Sequence, residues 1–165
     1  MGIIYHESSL KALPPQERLD ICTSIIKNDI DESLRGEAVW VLGNMIDEVG
    51  HDNPISDAAA ELLEWVIKND NNNVVKHEAC FQLGEKNIRK KISTLINAAL
   101  NDQSELVRHE AIEALGLIQA FECKEMLHKS LKDKNDAVRQ TAAFVLKQLD
   151  RLEKARTVNH RQSLY

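Results

Sequence analysis

Two dipeptides hold the groups in this chain best suited to chemistry: His77-Glu78 and His109-Glu110, 32 residues apart. Imidazole and carboxylate together suit a divalent metal ion with open positions, and the set points to non-haem iron, with manganese or zinc as competitors. One histidine on a helix is more often structural; two at matched positions of a repeated pattern are harder to dismiss. If their helices pack side by side, about 8–10 Å apart, both imidazoles can converge on one ion with bonds of about 2.1 Å. Each glutamate is turned about 100° further round its helix, which suits a second ion or a facing copy of the chain. An HExxH zinc motif is excluded, because its second histidine would stand at Phe81 or Glu113. Cys22, Cys80 and Cys123 are widely spaced, odd in number and in no CxxC pair. They read as reduced thiols of a cytoplasmic protein. His6, His51, His128 and His160 fall in the terminus, a loop, a first helix and the tail, and read as solvated surface residues.

The elements that must position these pairs come from an internal repeat. Leu34-Arg-Gly-Glu-Ala-Val-Trp-Val-Leu-Gly43, Val75-Lys-His-Glu-Ala-Cys-Phe-Gln-Leu-Gly84, Val107-Arg-His-Glu-Ala-Ile-Glu-Ala-Leu-Gly116 and Val138-Arg-Gln-Thr-Ala-Ala-Phe-Val-Leu-Lys147 align without gaps. Their starts are 41, 32 and 31 residues apart, and residues 48–56, with Gly50, Asn53 and Pro54, supply the first interval's excess as a loop. A polar turn with capping residues precedes each segment. Before each turn lies another amphipathic stretch: Arg18 to Lys27, Asp57 to Lys68, Ile88 to Leu100 and Phe121 to Leu131. Each repeat is thus a helix–turn–helix that cannot bury both faces alone, so neighbours must stack. The expected fold is all-α: a right-handed α-solenoid of about four HEAT-like hairpins in one domain, residues 1–153. The segment 154–165 loses the apolar period and is expected to be a frayed, disordered tail.

Composition agrees. With 43% hydrophobic and 28% charged residues the 165-residue chain is globular. Only 4% aromatics, 6 glycines and 3 prolines leave little from which to build strands and turns. A net charge of −5 argues against a nucleic-acid or anionic-membrane partner. No apolar run approaches the roughly 18 residues of a membrane span, and no signal-peptide core is visible at the N-terminus.

On the second helices Val107, Ala111, Ala114 and Ile118 share the core stripe, and His109 lies about 200° away from Val107. The outward column reads Gly36, His77, His109 and Gln140. Three residues on it reads Val39, Cys80, Ile112 and Ala143; four on, Trp40, Phe81, Glu113 and Phe144. A solvated concave face would not carry Val39, Trp40, Phe81, Ile112 and Phe144, so these mark a face for a partner, a peptide or a second copy of the chain. The bases Arg35, Lys76, Arg108 and Arg139 recur with or without histidine, and so belong to the fold. An Asp or Asn five or six residues upstream (Asp102 for Arg108, Asn71 for Lys76) is the expected partner, tying repeat to repeat.

Through these motifs the sequence resembles the HEAT-like repeats grouped with phycobilisome lyases, and more closely the deoxyhypusine hydroxylase family. That resemblance covers about residues 15–152 and implies half of a two-half architecture, each half with His-Glu motifs in its two middle repeats. It further implies two facing irons that activate oxygen to hydroxylate a modified lysine on a translation factor. Here there are two motifs where the family has four, so a symmetric homodimer would restore the set: iron, two per dimer, held by His77, Glu78, His109 and Glu110. Glu113 is a candidate for meeting a cationic lysine. The alternative is a metal-free scaffold holding a protein or peptide on its concave face.

Overall fold

The computed structural model describes residues 10–162. The first hairpin comprises α1 (Pro15–Asn28) and α2 (Glu32–Val49), the second α3 (Pro54–Asn69) and α4 (Asn73–Glu85). The third has a 3-10 turn, Arg89–Lys91, running into α5 (Ile92–Asn101), then α6 (Glu105–Leu117). The fourth has the turn Phe121–Cys123 running into α7 (Lys124–Ser130), then α8 (Asp136–Gln162). The described residues contain no strand. First helices α1, α3, α5 and α7 stack in one layer and second helices α2, α4, α6 and α8 in the other. This is the expected all-α solenoid of four hairpins.

Local chemistry sets the register. Asp31, Asn72 and Asn135 accept backbone N–H groups at the starts of α2, α4 and α8, and Ser104 occupies the same place before α6. The turns after α4 and α6 share a left-handed residue, Asn87 (φ 52°) and Gln119 (φ 53°), so the repeat extends to the backbone. The extra length of the first interval is mostly helix. Gly50 (φ 87°) ends the 18-residue α2, and Asn53 with Pro54 starts α3 at once, leaving a loop of residues 50–53.

One continuous apolar core runs from Leu10 to Leu149 and contains the expected stripe of Val107, Ala111, Ala114 and Ile118. Glycines let the second helices approach closely: a Cβ on Gly84 would lie 2.6 Å from Ala114 Cα, and one on Gly116 would lie 3.0 Å from Val145 Cγ1. Three of the four bases tie their repeat to the next, but through a different partner from the one expected, while Arg139 bonds Asp136 on its own helix. Arg35 bonds Asp70, Lys76 bonds Asp102 at 2.7 Å, and Arg108 bonds Asp133, each in the following turn. Of the upstream Asp partners only backbone carbonyls are used, Asp29 O by Arg35, Asp102 O by Arg108 and Asp133 O by Arg139.

The expected frayed tail is helical as far as Gln162. Its lysine, alanine and arginine favour helix. Lys124 bonds Asp150 and Glu153, while Arg156 stands 5.0 Å from the Phe121 ring. Residues 163–165 and 1–9, with Tyr165 and His6 among them, and the side chain of His160, lie outside the described residues. His51 and His128 are exposed as expected. The three cysteines are unpaired and buried, and burial pushes the Cys22 thiol up to about 12. No helix among the described residues is long and apolar enough to cross a membrane.

Candidate metal site

Because the second helices start in register, equivalent positions face each other across the stack. The histidine position of one repeat reaches the position after it in the next. His77 Nε2 on α4 lies 2.9 Å from Glu110 Oε2 on α6. His109 Nδ1 on α6 lies 2.7 Å from Thr141 Oγ1 on α8. In the first repeat Gly36 offers no side chain, and Glu78 is held within its own helix, accepting 2.8 Å from Gln82 Nε2.

Each imidazole is engaged with the following helix, His77 with Glu110 and His109 with Thr141. The group that does come together is His109, Glu110 and Glu113, whose ligand atoms all lie within 4.8 Å of one another. His109 Nε2 and Glu113 Oε1 are 3.7 Å apart, and His77 borders the group through its bond to Glu110. Glu113, read from sequence as facing a cation from outside, belongs to the cluster itself. Thr141 was not singled out, although its signal was available: it holds the column of Glu37, Glu78 and Glu110 in the last repeat.

Glu110 is the buried member, while His109 is half-buried and Glu113 exposed. Burial pushes its carboxyl up to about 7, the Glu113 and Glu78 charges add to the rise, and His109 opposes it. No lysine or arginine among the described residues pairs with it. A cation would relieve that excess of negative charge, and an imidazole with two carboxylates is a donor set suited to non-haem iron. Cys80 supplies no thiolate: it is buried in the core and its thiol is pushed up by burial. The residues present fit a divalent metal.

The cluster opens into a cleft of about 570 Å³ between α4, α6 and α8, walled by Phe81, Leu117 and Phe144. A second cleft of about 500 Å³, with Trp40, Val74 and Glu78, lies one repeat earlier, above Gly36. The expected partner face needs correction. Phe144 is 63% and Trp40 36% exposed and Phe81 is half-buried, but Val39 and Ile112 are fully buried. Their column faces the next second helix, so stacking hides it; Ala143, with no repeat after it among the described residues, is exposed. Leu117, at 52%, joins the exposed apolar set.

Comparison with known proteins follows the same lines. Residues 92–158 match the family model for HEAT repeats. A deoxyhypusine hydroxylase of Saccharomyces cerevisiae is 28% identical over 145 residues, covering 82% of this chain and 45% of that protein. One from Danio rerio is 36% identical over 130 residues, covering 76% of this chain and 38% of that protein. The structure of human deoxyhypusine hydroxylase in complex with glycerol superposes with a TM-score of 0.72 at 23% identity, covering 86% of this chain and 46% of that one. A designed armadillo repeat protein superposes with a TM-score of 0.55. These structural likenesses show the fold. The chain spans less than half the length of these two hydroxylases.

Proposed function

The chain is a HEAT-like repeat protein resembling one half of deoxyhypusine hydroxylase, and from that premise we propose that it is a metal-binding protein with oxygen-binding or hydroxylase-like chemistry. The observation that carries this reading is the convergence of His109, Glu110 and Glu113 within 4.8 Å around a buried carboxylate that lacks a permanent cation. Those three side chains would hold a non-haem iron ion, which when bound supplies the activation of dioxygen. The chain's own residues do the rest. His77 holds the Glu110 carboxylate in place, and Thr141 holds the His109 ring. Phe81, Leu117 and Phe144 give the cleft apolar walls that limit water. Glu78 stands outside the cluster, bonded by Gln82 and lining the cleft at Trp40, where it would serve a second ion or a facing copy. In this reading two chains meet through their second-helix faces and form a di-iron centre, two half-sites of which each chain provides one.

Metal analysis on protein purified without a histidine tag tests the proposal. About one iron per chain, with a visible absorption band in air, is expected. No bound metal after anaerobic iron(II) reconstitution would overturn it. The exposed Trp40 and Phe144 favour a second reading, a metal-free scaffold that takes a protein segment on this face; that reading stands if iron does not bind.

A further inference from the structure

We infer that Thr141 is a positioning residue that fixes the His109 imidazole as its Nδ1–H tautomer and so turns a bare Nε2 lone pair toward the two carboxylates. The inference rests on the metal-site reading, but it concerns a hydrogen bond that exists without the metal. Thr141 Oγ1 lies 2.9 Å from Ala137 O, one turn back in α8. A carbonyl oxygen can only accept, so the single hydroxyl proton is committed there. What Oγ1 presents to His109 Nδ1, 2.7 Å away, is a lone pair, and Nδ1 must therefore carry the hydrogen. A neutral imidazole has one N–H, which leaves Nε2 without a proton.

That Nε2 stands 3.7 Å from Glu113 Oε1. A lone pair facing carboxylates has no favourable partner among them, and is oriented for a cation placed between. The two equivalent histidines thus use opposite nitrogens: His77 engages Glu110 through Nε2, and His109 engages Thr141 through Nδ1. Thr141 is 8% exposed, so water does not readily replace it as the acceptor.

The tautomer can be read directly in metal-free, ¹⁵N-labelled full-length protein at about pH 9, where histidine is ordinarily neutral, from long-range ¹H–¹⁵N correlations of the imidazole. Wild type should show His109 with a pyrrole-like Nδ1 and a pyridine-like Nε2. Thr141→Val, close to Thr in shape, should lose that preference, and Thr141→Ser should keep it. Anaerobic iron(II) titration should show roughly 10–100-fold weaker binding for Thr141→Val and near-wild-type binding for Thr141→Ser. A pyridine-like Nδ1 in wild type overturns the inference, and that spectrum decides even if the valine variant fails to fold. So does a Thr141→Val protein that retains the wild-type tautomer or the wild-type affinity. If wild type shows the expected tautomer pattern but binds no iron, the metal-site reading falls while the Thr141–His109 assignment stands.

Discussion

His77 Nε2 lies 2.9 Å from Glu110 Oε2, so the histidine of one His-Glu motif is bonded to the glutamate of the next. The histidine and glutamate are therefore paired not within the dipeptide but across two stacked helices, offset by one residue. The two middle repeats each contribute a histidine that points forward along the stack, and Glu110 and Thr141 receive one from behind. Glu78 has only Gly36 behind it, and Gln140, the last residue in the histidine column, has no described helix ahead of it.

This pairing ranks the effects of substitution. His109→Ala and Glu110→Gln remove members of the three-residue cluster and should abolish iron binding, as measured by anaerobic titration. His77→Ala removes the group that holds Glu110 and should weaken binding about 10–100-fold. Helical circular dichroism should stay at the wild-type level in all three, since none of the three side chains belongs to the apolar core.

The state of Glu110 gives the metal-free protein a pH dependence with a definite sign. Its carboxyl is held up to about 7 in the fold, mainly by burial, against roughly 4.3 in an unfolded chain. The native state therefore binds this proton more tightly, and its contribution to stability is fully present below the unfolded value and lost as pH rises through about 7. Glu110→Gln should flatten that part of the profile and raise the urea midpoint above wild type at about pH 8. A variant less stable than wild type at that pH, without metal, would count against the assignment.

How far the sequence reveals this can be judged residue by residue. The repeat register, the hairpins and the core stripe of Val107, Ala111, Ala114 and Ile118 are written in a 3.6-residue period, and the structure reproduces them. Val39 and Ile112 were misplaced because a helical wheel separates the hairpin's inside from its outside but not a second stripe that only stacking buries. Glu113 stands one turn from His109 on the same helix, a spacing the sequence already contains. Thr141 depends instead on which residue of one second helix faces which residue of the next, an offset set by close approaches, Gly116 to Val145 between α6 and α8 as Gly84 to Ala114 between α4 and α6.

That approach makes two glycines behave oppositely. A Cβ at Gly84 meets Ala114 Cα and Cβ at 2.6 and 2.7 Å, and backbone cannot yield as a flexible side-chain end would. Gly84→Ala should cost about 1–3 kcal/mol and, by spreading α4 from α6, should also weaken iron binding. Gly36 has nothing within 4 Å of an added Cβ and lies inside α2. Gly36→Ala should therefore stabilise by about 0.5–1 kcal/mol, measured by urea denaturation.

The association of two chains is the last prediction. The cluster provides three ligands in an open cleft, and three protein ligands leave coordination positions for other groups. Around that opening Phe144 is 63% and Leu117 52% exposed, and Phe81 is half-buried. Covering such surface is worth about 25 cal/mol per Å², and a twofold pairing is the commonest way for copies of one chain to do so. Pairing through this face would cover the aromatics and bring two clusters opposite each other with Glu78 of each chain near the seam. Light scattering on iron-loaded protein should give about twice the chain mass. Phe144→Lys should shift it toward monomer, because a buried unpaired ammonium is costly, while leaving the His109 cluster intact. A clean monomer that binds two irons, or a dimer indifferent to Phe144→Lys, would remove the case for a site shared across this face.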